Sequence, residues 1–321
     1  MKILKLAFLN KYQGKVNRGA ETFVKEVSLR LSRKYQVDVI SDINSLDLFK
    51  EKYDLIIPTN GRFQAVLTRI ITWLRGAKMI VSGQSGMGWD DKVNLYSFPN
   101  YFVPISSEAL NWARKVNPFV KSVYIPNGVD TKKFKPDGEK INTELRKPII
   151  LCVGALTKTK RIDLVIKAIS KLEDASLLVV GVGPEKEQLQ ILGTRLLDTR
   201  FKIMNFPYEK MPEVYRAADI FTLVSEPYYS FENVLVEAMA TNIPVVANND
   251  PIRKEIVGDG GILVNPTDLV EYSEAIKKVL NISWGNKQSL AKSGFCKPRE
   301  QAEKFDWDRI ASEYEKIIRS L

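Results

Sequence analysis

The chain has 321 residues, 45% hydrophobic and 27% charged, with 48 Lys and Arg against 38 Asp and Glu and no histidine. That length suits two domains better than one core, and no apolar run reaches the roughly 18–20 residues of a bilayer span. The missing histidine excludes imidazole acid–base chemistry, the Ser-His-Asp arrangement and the common zinc hydrolase sites, leaving proton transfer to carboxylates, Tyr, Lys or a substrate.

Residues 4–9 read as a first strand; Lys5 interrupts the apolar run and no small-residue cleavage site follows, so a strand and not a leader is expected. Residues 20–31 place Phe23, Val24, Val27 and Leu31 at helical spacing. Strands are predicted at 37–40, 54–58, 78–81, 101–105 and 122–125, and helices at 63–74 and 107–115. Pro126-Asn127-Gly128 is turn chemistry, and a charged stretch with Lys132, Lys133 and Lys135 follows. The series then restarts. Strands are predicted at 148–154, 176–181, 201–204, 220–224, 244–247 and 262–264. Helices are predicted at 162–172, from Pro184, at 211–218 and at 233–240, with an amphipathic helix at 307–321. Short strands alternating with helices mean βαβ units and parallel sheets. The expected architecture is α/β: two Rossmann-like doubly wound domains with a cleft, over 1–130 and 148–302, a linker at 131–147 and a terminal helix at 303–321.

Residues 1–145 carry 23 Lys and Arg against 14 Asp and Glu, whereas residues 146–321 carry 25 against 24. A basic first half suits phosphate-bearing partners, an anionic membrane surface or nucleic acid, and equally a solvated basic surface. Two cysteines far apart, Cys152 and Cys296, argue against a disulfide framework or a zinc site and for a reducing compartment.

Five segments fall where a strand ends, four of them ahead of a predicted helix and one, residues 82–91, in a loop. Residues 225–240 form a strand-turn-helix whose free N–H groups near Asn233 attract anions, with Glu237 one turn further in. Residues 153–163 place Lys160 and Arg161 where a diphosphate needs countercharge. Gly181-Val182-Gly183-Pro184 is a G-x-G without a third glycine. Gly19 lies in Asn17-Arg18-Gly19-Ala20-Glu21 after the first strand. Residues 82–91 gather glycines with Gln84, Trp89, Asp90 and Asp91, a composition suited to holding a sugar. Ordinary capped helices and surface loops explain each segment singly.

In their order and spacing these segments resemble the GT-B fold retaining glycosyltransferases of family 4. The resemblance rests on residues 17–21, Ile125-Pro126-Asn127-Gly128-Val129-Asp130, 153–163, 180–184, Tyr215-Arg216-Ala217-Ala218-Asp219, 231–240, Ile243-Pro244-Val245-Val246-Ala247 and Gly260-Gly261-Ile262-Leu263-Val264. It implies transfer of a sugar from a UDP- or GDP-sugar donor with retention, without a metal or other cofactor. The donor lies mainly on the second domain and a sugar or lipid-linked acceptor on the first. Lys160 matches a phosphate-binding Lys, Glu237 the ribose ligand, and Gly19 the glycine near the diphosphate. Ser230, Phe231, Glu232, Asn233 and Val234 match the turn and helix start at sugar and phosphate, and Phe206-Pro207 falls where the base lies. The terminal helix is expected to cross back onto the first domain. Two positions depart from the pattern: Tyr229 stands where the first Glu of E-x7-E belongs, and Ala155 where a phosphate-binding Arg belongs. Arg161 is the expected substitute for that Arg; the acceptor-domain histidine of many members is absent, and Gln84 stands in a similar strand-end loop. The few cysteines suit a cytoplasmic protein, and the basic first domain suits either a lipid-linked acceptor at an anionic membrane surface, with the protein peripheral to it, or a soluble acceptor. No nucleic acid partner is expected. The departures leave a second reading, a catalytically impaired sugar-nucleotide-binding or partner subunit.

Overall fold

Leu6, Ala7, Phe8 and Leu9 are fully buried along β1 (Lys5–Leu9). A strand apolar on both faces needs helices on both sides of its sheet. The computed structural model describes residues 3–15, 19–41, 45–84, 86–226, 231–282, 290 and 294–321. After β1 come α1 (Gly19–Leu31), β2 (Gln36–Ile40), α2 (Ser45–Lys50), β3 (Leu55–Pro58), α3 (Phe63–Arg75), β4 (Lys78–Gly83), α4 (Trp89–Tyr96), β5 (Tyr101–Pro104) and α5 (Ser107–Val116). The strands pair in parallel in the order β2-β1-β3-β4-β5. The order reverses between β1 and β3, so the crevice at their carboxyl ends is the ligand position such a sheet provides.

The strand expected at 122–125 is reduced to a single bridge between Ser122 and Phe102. Its neighbour β5 ends in Pro104, which has no N–H to extend the ladder. The loop expected at 82–91 gives way at Trp89 to α4, with Asp90 and Asp91 in its first turn.

A second parallel sheet is built from β6 (Ile149–Val153), α6 (Ile162–Ile169), β7 (Ser176–Val180), α7 (Lys186–Leu197), β8 (Phe201–Met204), α8 (Met211–Ala217), β9 (Ile220–Leu223), α9 (Asn233–Ala240), β10 (Val245–Asn248), α10 (Pro251–Val257), β11 (Gly261–Val264), α11 (Leu269–Leu280) and α12 (Pro298–Ala302). Its order is β11-β10-β9-β6-β7-β8, which puts the reversal between β6 and β9. The residues expected to link the domains pack with this second unit. Phe134 is fully buried there, its ring edge-on to Tyr215 at 5.8 Å between centroids. The last helix, α13 (Trp307–Arg319), belongs to the first unit. Trp307 and Tyr314 pack on Phe23 of α1 at 6.4 and 5.3 Å, and Arg30 donates to Asp308 at 2.7 Å.

Candidate active site

The second unit places three loops at the carboxyl ends of β6, β8 and β9. The loop after β6 turns through a short 3-10 segment (Lys158–Lys160) and enters α6 through Arg161, whose φ of 48° lies in the left-handed region. The glycines after β7 set how closely this loop approaches: a Cβ on Gly181 would stand 1.9 Å from the Gly154 carbonyl oxygen, and one on Gly183 2.4 Å from that of Leu156. Close backbone packing therefore explains the G-x-G without any ligand.

Lys160 and Glu232 face each other across the β6/β9 reversal. The Lys160 ammonium donates to Oε1 and Oε2 of Glu232 at 2.9 and 3.1 Å. Glu232 is the N-terminal flanking residue of α9, and its side chain makes no capping bond. Arg253 of α10, buried, donates from Nη2 to Glu232 Oε1 at 2.9 Å and to Ser225 Oγ at 2.7 Å; Ser225 Oγ in turn donates to Glu232 at 2.8 Å. Burial alone would push the Glu232 carboxyl up. The charges of Lys160 and Arg253 and the hydrogen bonds from Lys160 and Ser225 outweigh it and hold it below the ordinary value. A carboxylate of the chain thus stands at the start of α9, where free N–H groups attract an anion, and two cations surround it. Asn233, the first residue of α9, has its Oδ1 enclosed without a partner among the described residues.

Arg161 is engaged elsewhere. Its Nε and Nη2 donate to the carbonyls of Val224 and Ser225 at 2.7 and 2.9 Å, and the Glu226 N–H donates to Thr159 at 2.7 Å. These bonds stitch the β6 exit to the β9 exit. Burial, with Arg253 nearby, lowers the Arg161 guanidinium. Ala155 is exposed on the same loop.

Glu237 lies one turn into α9 and is buried. Tyr208, in the turn after Phe206 and Pro207, donates to its Oε1 at 3.2 Å, and the buried Tyr215 of α8 donates to its Oε2 at 2.8 Å. Burial raises the Glu237 carboxyl, against the pull of the two phenols and of Lys133. The Lys133 ammonium lies 4.0 Å from the centre of the Tyr208 ring. The structure therefore brings Lys160, Glu232 and Arg253 into one cluster, and Glu237 with Tyr208 and Tyr215 into a second on the same helix. Phe231 is buried, and Val234 follows Asn233 in the first turn of α9. Tyr229 and Ser230 lie outside the described residues.

The first unit holds the other expected residues. Gly19 opens α1, and the buried Glu21 has its Oε2 without a partner among the described residues, as does Nδ2 of buried Asn10 at the β1 exit. Asn17 and Arg18 lie outside the described residues. Gln84 exchanges hydrogen bonds with Asn127 at 3.0 and 3.2 Å and donates to Ser82 at 2.9 Å. Asp90 pairs with Arg62, and Trp89 is exposed. Asp91 is buried and accepts a hydrogen bond from Asn94 at 2.8 Å; burial pushes its carboxyl up to about 7, with Asn94 opposing and Asp90 adding. Among the described residues no group of three Cys, Asp or Glu side chains is placed to hold a metal ion.

Arg253, Tyr208 and Tyr215 were not singled out as site residues in the sequence. The acidic residue of the turn, Glu232, was, but its pairing with Lys160 was not foreseen.

Residues 147–281 match the family described as "Glycosyl transferases group 1". The chain is 28% identical over 192 residues to the sulfoquinovosyl transferase of Arabidopsis thaliana, covering 56% of this chain and 36% of the relative. It is 28% identical over 190 residues to the GDP-mannose-dependent alpha-(1-6)-phosphatidylinositol monomannoside mannosyltransferase of Mycolicibacterium smegmatis, covering 53% of this chain and 50% of the relative. These matches span half or less of the relatives' length. Among solved structures, Anabaena HepE in complex with UDP and glucose superposes with a TM-score of 0.78 at 18% identity, over 99% of this chain and 100% of that one. Sucrose-phosphate synthase from Thermosynechococcus elongatus superposes with a TM-score of 0.76 at 19% identity, over 99% and 98%. The fold is GT-B, and the match to the group 1 glycosyl transferase family is confined to residues 147–281.

Proposed function

We propose that this GT-B chain transfers a sugar from a nucleoside diphosphate donor to an acceptor hydroxyl, with retention at the anomeric carbon and without a metal. The observation that carries the reading is the cluster of Lys160, Arg253 and the α9 N-terminus at the sheet reversal. The mannosyltransferase relative is GDP-mannose-dependent and HepE was solved with UDP and glucose, which supports a nucleotide sugar as donor.

In this reading the donor diphosphate takes the position at the start of α9, and Lys160 turns from Glu232 toward it. Arg253 keeps Glu232 paired when Lys160 leaves. The acceptor oxygen forms a bond to the anomeric carbon on the face from which the diphosphate departs. The carbon–oxygen bond to phosphate breaks, and the acceptor proton passes to the departing phosphate oxygen, so no histidine is needed. Charge build-up on the leaving group is met by Lys160 and the helix N–H groups. The helix end supplies about 0.3–2 kcal/mol, so the ammonium carries most of the stabilisation. Glu237 offers its carboxylate to ribose hydroxyls, and the turn at Phe206 and Pro207 takes the base. The acceptor, a sugar or lipid-linked sugar, is held by the first unit.

Replacement of Lys160 by Ala tests this. Turnover of donor by the folded fraction of purified protein is expected to fall by roughly 10²–10³-fold. Near-normal turnover in that variant would remove Lys160 from the site. Turnover abolished by a chelator and restored by a divalent cation would contradict the metal-free part. The pairing of Lys160 with Glu232 favours a second reading, a subunit that binds donor without turning it over; transfer by the purified chain excludes it.

A further inference from the structure

The packing of α3 is inverted. The helix buries Ala65, Thr68, Ile71 and Thr72 against the first unit, with Thr68 1% and Thr72 0% exposed. Its large apolar side chains point outward: Phe63 is 78% exposed, Ile70 49%, and Trp73 and Leu74 70% each. Positions 63, 66, 70, 73 and 74 fall on one stripe about 100° wide at helical spacing. An amphipathic helix ordinarily sets that stripe into its own core. Here the stripe faces away from the protein over about three turns, and the helix carries no acidic residue at all.

Arg69 borders the stripe, its guanidinium 5.1 Å from the centre of the Trp73 ring. Its other side opens on a pocket of about 360 Å³ that Lys78, Lys121, Tyr101, Phe98 and Phe119 also line. No acidic side chain lines that pocket. Phe119 is among the most exposed apolar side chains of the chain, and Phe98 is half exposed. The Arg69 Nε is enclosed with no partner among the described residues, and burial disfavours its charge, which an anion would relieve.

We propose that the outward face of α3 and the cationic pocket beside it form one docking surface for a bilayer containing anionic lipid. The apolar stripe enters the headgroup–acyl boundary, Trp73 sits at the interface, and Arg69, Lys78 and Lys121 meet lipid phosphates. Charge decides the occupant: three cationic side chains and no acidic side chain line the pocket, which favours an anionic surface over a neutral apolar one. Among the described residues no helix is long and apolar enough to cross a membrane, so the contact is peripheral. The surface is independent of the donor site.

The test is co-sedimentation of the full chain with vesicles of phosphatidylcholine alone and of phosphatidylcholine with phosphatidylglycerol. The wild type binds the anionic vesicles, and salt weakens that binding. The double variant W73A/L74A lowers the partition coefficient by about tenfold or more. The triple variant R69Q/K78Q/K121Q lowers it by a comparable factor and removes the salt dependence. Trp73→Phe keeps the binding but loses quenching by brominated lipid, which localises the contact even where the double variant folds poorly. Wild-type protein that ignores anionic vesicles overturns the proposal. So does binding unchanged in both multiple variants. A concentration-dependent dimer without lipid, abolished by W73A/L74A, would also overturn it and assign the face to a second copy.

Discussion

Glu232 shows how one residue's burial is made tolerable. A carboxylate enclosed this far is costly unless paired, and here Lys160, Arg253 and Ser225 all reach it. Asp91 is the opposite case. It too is buried, and burial, with a smaller contribution from the charge of Asp90, raises its carboxyl from 3.8 to about 7. The sign of the consequence follows from linkage. Between those pH values the folded chain holds a proton that the unfolded chain has released, so stability falls as pH rises through that window. The loss is on the order of 4 kcal/mol for this group. Asp91→Asn is expected to remove it: chemical denaturation at about pH 8 should find the variant more stable than the wild type, with the two converging toward about pH 4. An unchanged gap across that range would contradict the burial assignment.

At the scale of elements, the alternation of strand and helix was legible because apolar runs and helical spacing fix it locally. The bounds of α9 and of β8 agree with their sequence-based ranges. Other elements were hidden. Helix α4 follows a glycine-rich stretch, and only its acidic first turn, Asp90 and Asp91, marked a helix start. Helix α10 had a readable signal in Asp250-Pro251: the Asp250 side chain accepts from the N–H groups of Ile252 and Arg253 at 3.1 and 3.0 Å, and Pro takes the first helical position. Lys160 and Glu237 stood out in the sequence as candidate site residues because Lys160 lies in a strand-to-helix turn and Glu237 one turn into the helix after another. Arg253 was not, since a residue's burial and its reach to Glu232, 21 positions away, are set by tertiary packing. The G-x-G after β7 carries its own test. With Gly154 oxygen 1.9 Å from a Cβ at position 181, Gly181→Ala must displace the loop that bears Lys160. The expected outcome is a loss of about 2–4 kcal/mol in urea unfolding together with reduced turnover. A variant as stable and as active as the wild type would show that this close approach is unimportant.

At the scale of the molecule, the chain is two parallel sheets with different charge. Residues 1–145 hold the excess of Lys and Arg, and the docking surface on α3 and the pocket beside it use part of that excess; residues 146–321 are nearly neutral and concentrate cations at one strand reversal. The central claim is that this reversal binds a nucleoside diphosphate. It is tested most directly by thermal unfolding of the wild type and of Lys160→Ala with UDP, GDP and ADP. A ligand at about 100 times its dissociation constant adds about 2.7 kcal/mol to the folded state, a shift of roughly 5 °C or more for a unit of this size. The account predicts such a shift with one of the three nucleotides in the wild type and its loss in the variant. No shift with any of them, or an equal shift in Lys160→Ala, would contradict it.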